Sequence, residues 1–131
     1  MSKSESRDFA QRVVDWALSK KAEDLALLDL RGLFDVTDCF VVATGGSEIQ
    51  CKAIANAVLE GALEEGQKPL HVEGLDSANW ILLDFVDVVV HIMMPEPRRH
   101  YALERLWGDA PMLRYDETGQ PIGSSGEESQ A

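Results

Sequence analysis

The pattern of apolar and polar positions divides the chain into helical and extended segments. Over residues 6–20, Phe9, Val13, Trp16, Ala17 and Lys20 fall on one stripe, with Arg7, Asp8, Gln11, Arg12 and Asp15 largely around it. That spacing predicts an amphipathic helix. Nearly unbroken apolar runs at 25–30 and 39–44 suit strands covered on both faces by helices. Gly45-Gly46-Ser47 then opens a second helix reaching about Glu65, with Ser47 and Gln50 as a capping box and Gly66 as the stop. Residues 69–72 read as a short strand. Runs at 80–83 and 88–94, rich in bulky and β-branched residues, read as two more strands. Pro95-Glu96-Pro97 introduces a last helix over about 98–107, before Gly108. The order αββαβββα predicts an α/β sandwich with a mixed sheet.

The hairpin made by the last two strands carries the most information. With Phe85 and Val86 as its loop, Leu83 pairs with Val88, Leu82 with Val89, Ile81 with Val90 and Trp80 with His91. Period-two alternation places Ile81, Leu83, Val88, Val90 and Ile92 on one face, all apolar. The other face holds Trp80, Leu82, Asp84, Asp87, Val89, His91 and Met93. An indole, an imidazole and a thioether rimmed by carboxylates have the make-up of a protein-binding surface, to which Tyr101 is added from the helix that follows. The competing reading makes Trp80 an ordinary core residue under a covering helix.

Length and charge narrow the function classes. At 131 residues the chain is expected to form one domain over 1–117, and the small, polar, acidic stretch 118–131 to be a disordered tail. A formal net charge of -11 argues against a broad nucleic-acid grip and for a basic protein partner. No apolar run has membrane-spanning length, and the first residues carry no signal-peptide core, so a cytoplasmic protein is expected. Cys39 and Cys51 lack metal-type spacing and read as buried thiols.

Candidate chemistry is sparse, and no catalytic residue, metal or cofactor is expected. A strand, then Gly45-Gly46-Ser47, then a helix could bind an anion, and it is similar to the glycine-serine turn of nucleotidyltransferases. Such an enzyme also needs paired carboxylates beside the turn to hold magnesium. Asp84 and Asp87 are the one attractive pair, and they more simply bracket the hairpin. His71, His91 and His100 lie on separate elements without metal spacing.

A family resemblance bears on the choice. It rests on Asp29, Thr37-Asp38, Gly45-Gly46-Ser47, Ala53-Ile54-Ala55, Glu73-Gly74, Trp80, Asp84, Asp87-Val88 and Val90-His91. Arg98, Tyr101, Leu103-Glu104 and Leu106-Trp107 complete the pattern. Over about residues 8–110 these resemble the ribosomal silencing factor (Iojap-like) family. The resemblance implies a nucleotidyltransferase-like fold without catalytic carboxylates, and a non-enzymatic protein that is a homodimer when free. It further implies binding to the large ribosomal subunit, through universal large-subunit protein fourteen at the intersubunit face. Bound there, such a protein blocks subunit joining and represses translation when nutrients are short. The partner-binding residues so expected are Trp80, Leu82, Asp84, His91, Met93, Arg98 and Tyr101. Three positions depart from the family's usual residues: Val86 replaces glycine, Ile49 arginine, and His100 a bulky apolar or aromatic residue. A nucleotidyltransferase-like enzyme and a dimeric adaptor for another partner are the alternatives.

Overall fold

The computed structural model describes residues 2–33, 37–101, 108 and 110–124. Helix α1 spans Lys3–Leu18, three residues ahead of the expected start, because Ser2 and Glu5 form a reciprocal capping box. Its buried stripe is Ser6, Phe9, Ala10, Val13, Val14 and Ala17. Strands β1 (Glu23–Asp29) and β2 (Cys39–Thr44) follow, and every residue of β2 is buried. Helix α2 spans Glu48–Glu64. At its end Gly66, with φ of 78°, donates to the Leu63 carbonyl while Gln67 donates to Ala62. This double bond pattern ends a helix in a left-handed residue, which glycine adopts without strain.

The chain continues through β3 (His71–Glu73), β4 (Trp80–Asp84), β5 (Val88–Met93) and α3 (Pro95–Tyr101), then β6 (Met112–Tyr115) and β7 (Pro121–Ser124). The sheet order is β3-β4-β5-β2-β1-β6-β7, and of the six pairings among the described residues only β2 with β5 is parallel. The sheet is therefore mixed, as expected, and its first eight elements follow the expected order.

Helices α1 and α2 pack on each other and on the same sheet face. Between them and the sheet lies the main core, including Phe9, Val13, Leu25, Leu27, Val41, Ile54, Val58, Ile81, Leu83, Val90 and Ile92. The expectation that helices cover both faces of β1 and β2 is corrected for these two helices. On the opposite face Ala26, Leu28, Leu30, Phe40, Val42 and Met93 form a second, smaller cluster with Ala110.

Two further expectations change. The hairpin register is displaced by two residues: Trp80 pairs with Met93, Leu82 with His91 and Asp84 with Val89. Phe85 is the cause. It is buried against Phe9, ring centroids 5.2 Å apart, and its N–H donates to the Val88 carbonyl. Burying a phenyl ring outweighs leaving it in a loop, so Val86 and Asp87 make the turn instead. An even displacement keeps the alternation, so both faces hold the residues expected of them.

The second change concerns the C-terminal region. The boundary expected at residue 117 falls inside a hairpin in which β7 pairs with β6 and β6 pairs with β1. Asp116 organises its turn, accepting from the N–H groups of Thr118 and Gln120 and from the Thr118 hydroxyl. Small polar residues here are turn chemistry rather than tail chemistry. Residues 125–131, and the 102–107 part of the expected last helix, lie outside the described residues.

Candidate functional site

Trp80 opens β4 and is set in place by the turn before it. The Ala78 N–H donates to the Gly74 carbonyl at 2.8 Å, and the Met94 N–H donates to the Asn79 carbonyl at 3.0 Å. Gly74 has φ of 82°, and a Cβ there would collide with the Trp80 carbonyl oxygen. Only glycine combines that φ with so close a backbone approach.

From Trp80 a row of rings runs between solvent and the second core cluster. The His100 and Tyr101 centroids are 4.9 Å apart, Tyr101 and Trp80 4.6 Å, Trp80 and His91 5.9 Å, and His91 and Phe40 5.0 Å. Trp80 Nε1 donates to His91 Nδ1 at 3.1 Å. The partners sit on adjacent strands at a diagonal, a separation that long aromatic side chains span.

Burial sorts the expected residues into two layers. Tyr101 is 49% exposed, and Trp80, Leu82 and Asp84 are half-buried on the same side of β4 or next to it. His91, Met93 and Arg98 are buried, at 5%, 0% and 8% exposure. Arg98 Nη1 donates to Thr44 Oγ1 at 2.8 Å, anchoring α3 on the end of β2. Asp84 lies at the far end of β4, where its carboxylate accepts from the Val86 N–H at 2.8 Å. Trp80, His91 and Tyr101 are thus brought together, Met93 and Arg98 lie beneath or behind them, and Asp84 is apart.

Beside Trp80 and Tyr101 opens a cleft of about 640 Å³, also lined by Asn79, Met94, Glu96, Arg99 and His100. Asn79 and Arg99 were missed by the sequence reading. The adjacent Arg98-Arg99 pair was the available signal for the latter, since neighbouring helix residues point in different directions. Burial pushes the His91 imidazole down to about 4, so it is neutral near pH 7. Burial likewise pushes the Cys39 thiol up to about 12 and raises Cys51, leaving two inert free thiols.

The family model described as "Ribosomal silencing factor during starvation" matches residues 3–131. The chain belongs to the ribosomal silencing factor family. It is 43% identical over 97 residues to the ribosomal silencing factor of Bacillus subtilis, covering 74% of this chain and 82% of that one. With the Halalkalibacterium halodurans ribosomal silencing factor it is 39% identical over 116 residues, 88% of this chain and 97% of that one. A crystal structure of a Chromobacterium violaceum protein superposes with a TM-score of 0.73 at 37% identity, covering 82% of this chain and 88% of that one.

Members of this family are silencing factors rather than enzymes, which removes the nucleotidyltransferase alternative. The Gly45-Gly46-Ser47 turn fits that assignment. Two backbone donors there are taken up internally: Gln50 Oε1 accepts from the Gly46 N–H at 2.6 Å, and Ser47 Oγ from the Gln50 N–H at 3.1 Å. Only half of the expected capping box therefore forms, because the Gln50 side chain turns to Gly46 and to the Lys20 and Lys21 carbonyls. Glu48 adds a negative charge to the same helix turn, and the Cys51 side chain packs under Gly45. Asp84 and Asp87 lie at the hairpin, next to Cys39 at the opposite end of β2. Roughly 20 Å of strand therefore separates them from the turn. Among the described residues no His, Cys, Asp and Glu group could hold a metal ion, and no helix is long and apolar enough to cross a membrane.

Proposed function

We propose that this protein silences ribosomes by docking on universal large-subunit protein fourteen at the intersubunit face of the large subunit, where it obstructs small-subunit joining. The observation that carries this reading is the Trp80–Tyr101 pair. Two aromatic rings stand 4.6 Å apart beside an open cleft, with Tyr101 half exposed and the supporting residues buried behind them. Exposed aromatic anchors on a rigid strand and helix are the features that dominate protein–protein affinity. The formal charge of -11 suits a basic partner and favours fast association at low salt. Free protein is expected to be a homodimer, as the family resemblance implies. Trp80, Leu82, Asp84 and Tyr101 are the contact residues in this reading; His91, Met93 and Arg98 hold them in place.

Sedimentation of purified subunits tests it. The protein should keep large and small subunits apart, and Trp80→Ala should weaken large-subunit binding by about 2–4 kcal/mol, as a central aromatic anchor does. Tyr101→Ala should act in the same direction, and a double-mutant cycle should show the two side chains to be coupled. A folded Trp80→Ala protein that still prevents subunit joining would refute this docking face.

A further inference from the structure

We propose that His91 is a positioning residue: buried behind the docking surface, it holds the Trp80 indole in the orientation that sets it against Tyr101. The proposal rests on the reading that Trp80 and Tyr101 dock the partner. Three observations carry it.

The first is the bond itself. Trp80 Nε1 donates to His91 Nδ1 at 3.1 Å, so the imidazole acts on the one polar atom of the indole. The Tyr101 ring also packs on the indole, its centroid 4.6 Å away. An indole held at its nitrogen cannot rotate away from Tyr101 without giving up that bond.

The second is what the arrangement leaves unsatisfied. A neutral imidazole that accepts at Nδ1 carries its proton on Nε2. Among the described residues, His91 Nε2 is buried and has no hydrogen-bond partner. A phenylalanine in the same place would fill similar space without that penalty. Packing alone therefore does not favour histidine here, whereas a requirement for an acceptor facing Trp80 does.

The third is rigidity. His91 sits in β5 between paired strands, opposite Leu82 on one side and Val42 on the other, with its ring against Phe40. The acceptor is thus fixed by the sheet, so the geometry of the half-buried indole is inherited from buried backbone. Burial also keeps His91 neutral, so that Nδ1 remains an acceptor near pH 7.

The test compares His91→Phe with His91→Gln, measuring fold stability, affinity for isolated large subunits and the Trp80 indole N–H resonance in ¹⁵N-labelled protein. His91→Phe should be as stable as the parent or more so at neutral pH. Its affinity should fall roughly three- to tenfold, the loss expected of one hydrogen bond. Its indole N–H should move upfield and exchange faster with water. His91→Gln, which offers a side-chain oxygen as acceptor, should recover part of the affinity. In a Trp80→Phe background His91→Phe should cause no further loss.

Parental affinity in folded His91→Phe overturns the proposal, as does an equal loss in the Trp80→Phe background. A markedly destabilised His91→Phe protein, with no recovery in His91→Gln, also overturns it, because packing would then be what retains the histidine. Loss with Trp80→Ala but none with His91→Phe overturns this proposal alone. Unchanged binding by Trp80→Ala overturns the docking reading and this proposal with it.

Discussion

Arg98 and Thr44 are 54 residues apart in sequence, and their side chains share a buried hydrogen bond of 2.8 Å. Thr44 ends β2 and Arg98 lies in α3, so this bond links the short helix that carries Tyr101 to the middle of the sheet. Both side chains are almost wholly buried, which makes the bond charge-assisted in a low-dielectric setting.

Thr44→Val keeps the shape of the residue and removes the acceptor. It should lower stability by about 1–3 kcal/mol, the range for a buried donor on a charged group that loses a partner. Urea denaturation measures the loss. Binding to large subunits should weaken as well, since Tyr101 is carried by the same helix. Parental stability would show that the other contacts of α3 suffice.

Val86 should be a site of stored strain. It turns the β4–β5 hairpin at φ of 74°, a left-handed value that β-branched residues resist. Its side chain is 53% exposed, so little packing offsets that strain. Val86→Gly should therefore raise stability by about 1 kcal/mol, read as a higher urea midpoint with an unchanged slope. A lower midpoint would mean that the turn relaxes around valine in solution.

Acid should destabilise the fold through His91. The folded-state value of His91 lies near 4, below the ordinary 6.5 of the unfolded chain. A group with a depressed folded value and a neutral folded form stabilises fully above 6.5 and loses that contribution as pH falls towards 4. Through that window the unfolded chain takes up the proton first. The loss should approach about 3 kcal/mol. Asp29, held low by Arg31 despite its partial burial, stabilises at neutral pH and loses that contribution only below its ordinary value of 3.8, and so separates from the histidine step. Stability measured between pH 7 and pH 4 should fall in the parent and stay flat in His91→Phe. Parallel profiles would assign the loss to other groups.

Much of this molecule is legible in the residue pattern. Alternation through residues 80–93 assigns each side chain to a face without knowledge of the register, because a two-residue displacement preserves parity. The cap at Ser47 and the glycine after α2 place helix ends by local hydrogen bonding alone. Trp80 and Tyr101 stand out as candidate anchors because large aromatics on a mixed face are chemically conspicuous. Depth and pairing are different in kind. Leaving the turn at Val86 rather than Phe85 depended on Phe9, 76 residues earlier in the chain, offering a place for the phenyl ring. Whether His91 reached solvent depended on Phe40 from a neighbouring strand, and the direction of Arg98 on a hydroxyl at the end of β2. The β6–β7 pair became part of the sheet only because β1 had a free edge to accept it. Local periodicity and capping are written within a few residues, whereas burial and edge pairing depend on which distant segments meet. Those contacts exist only once the chain has folded.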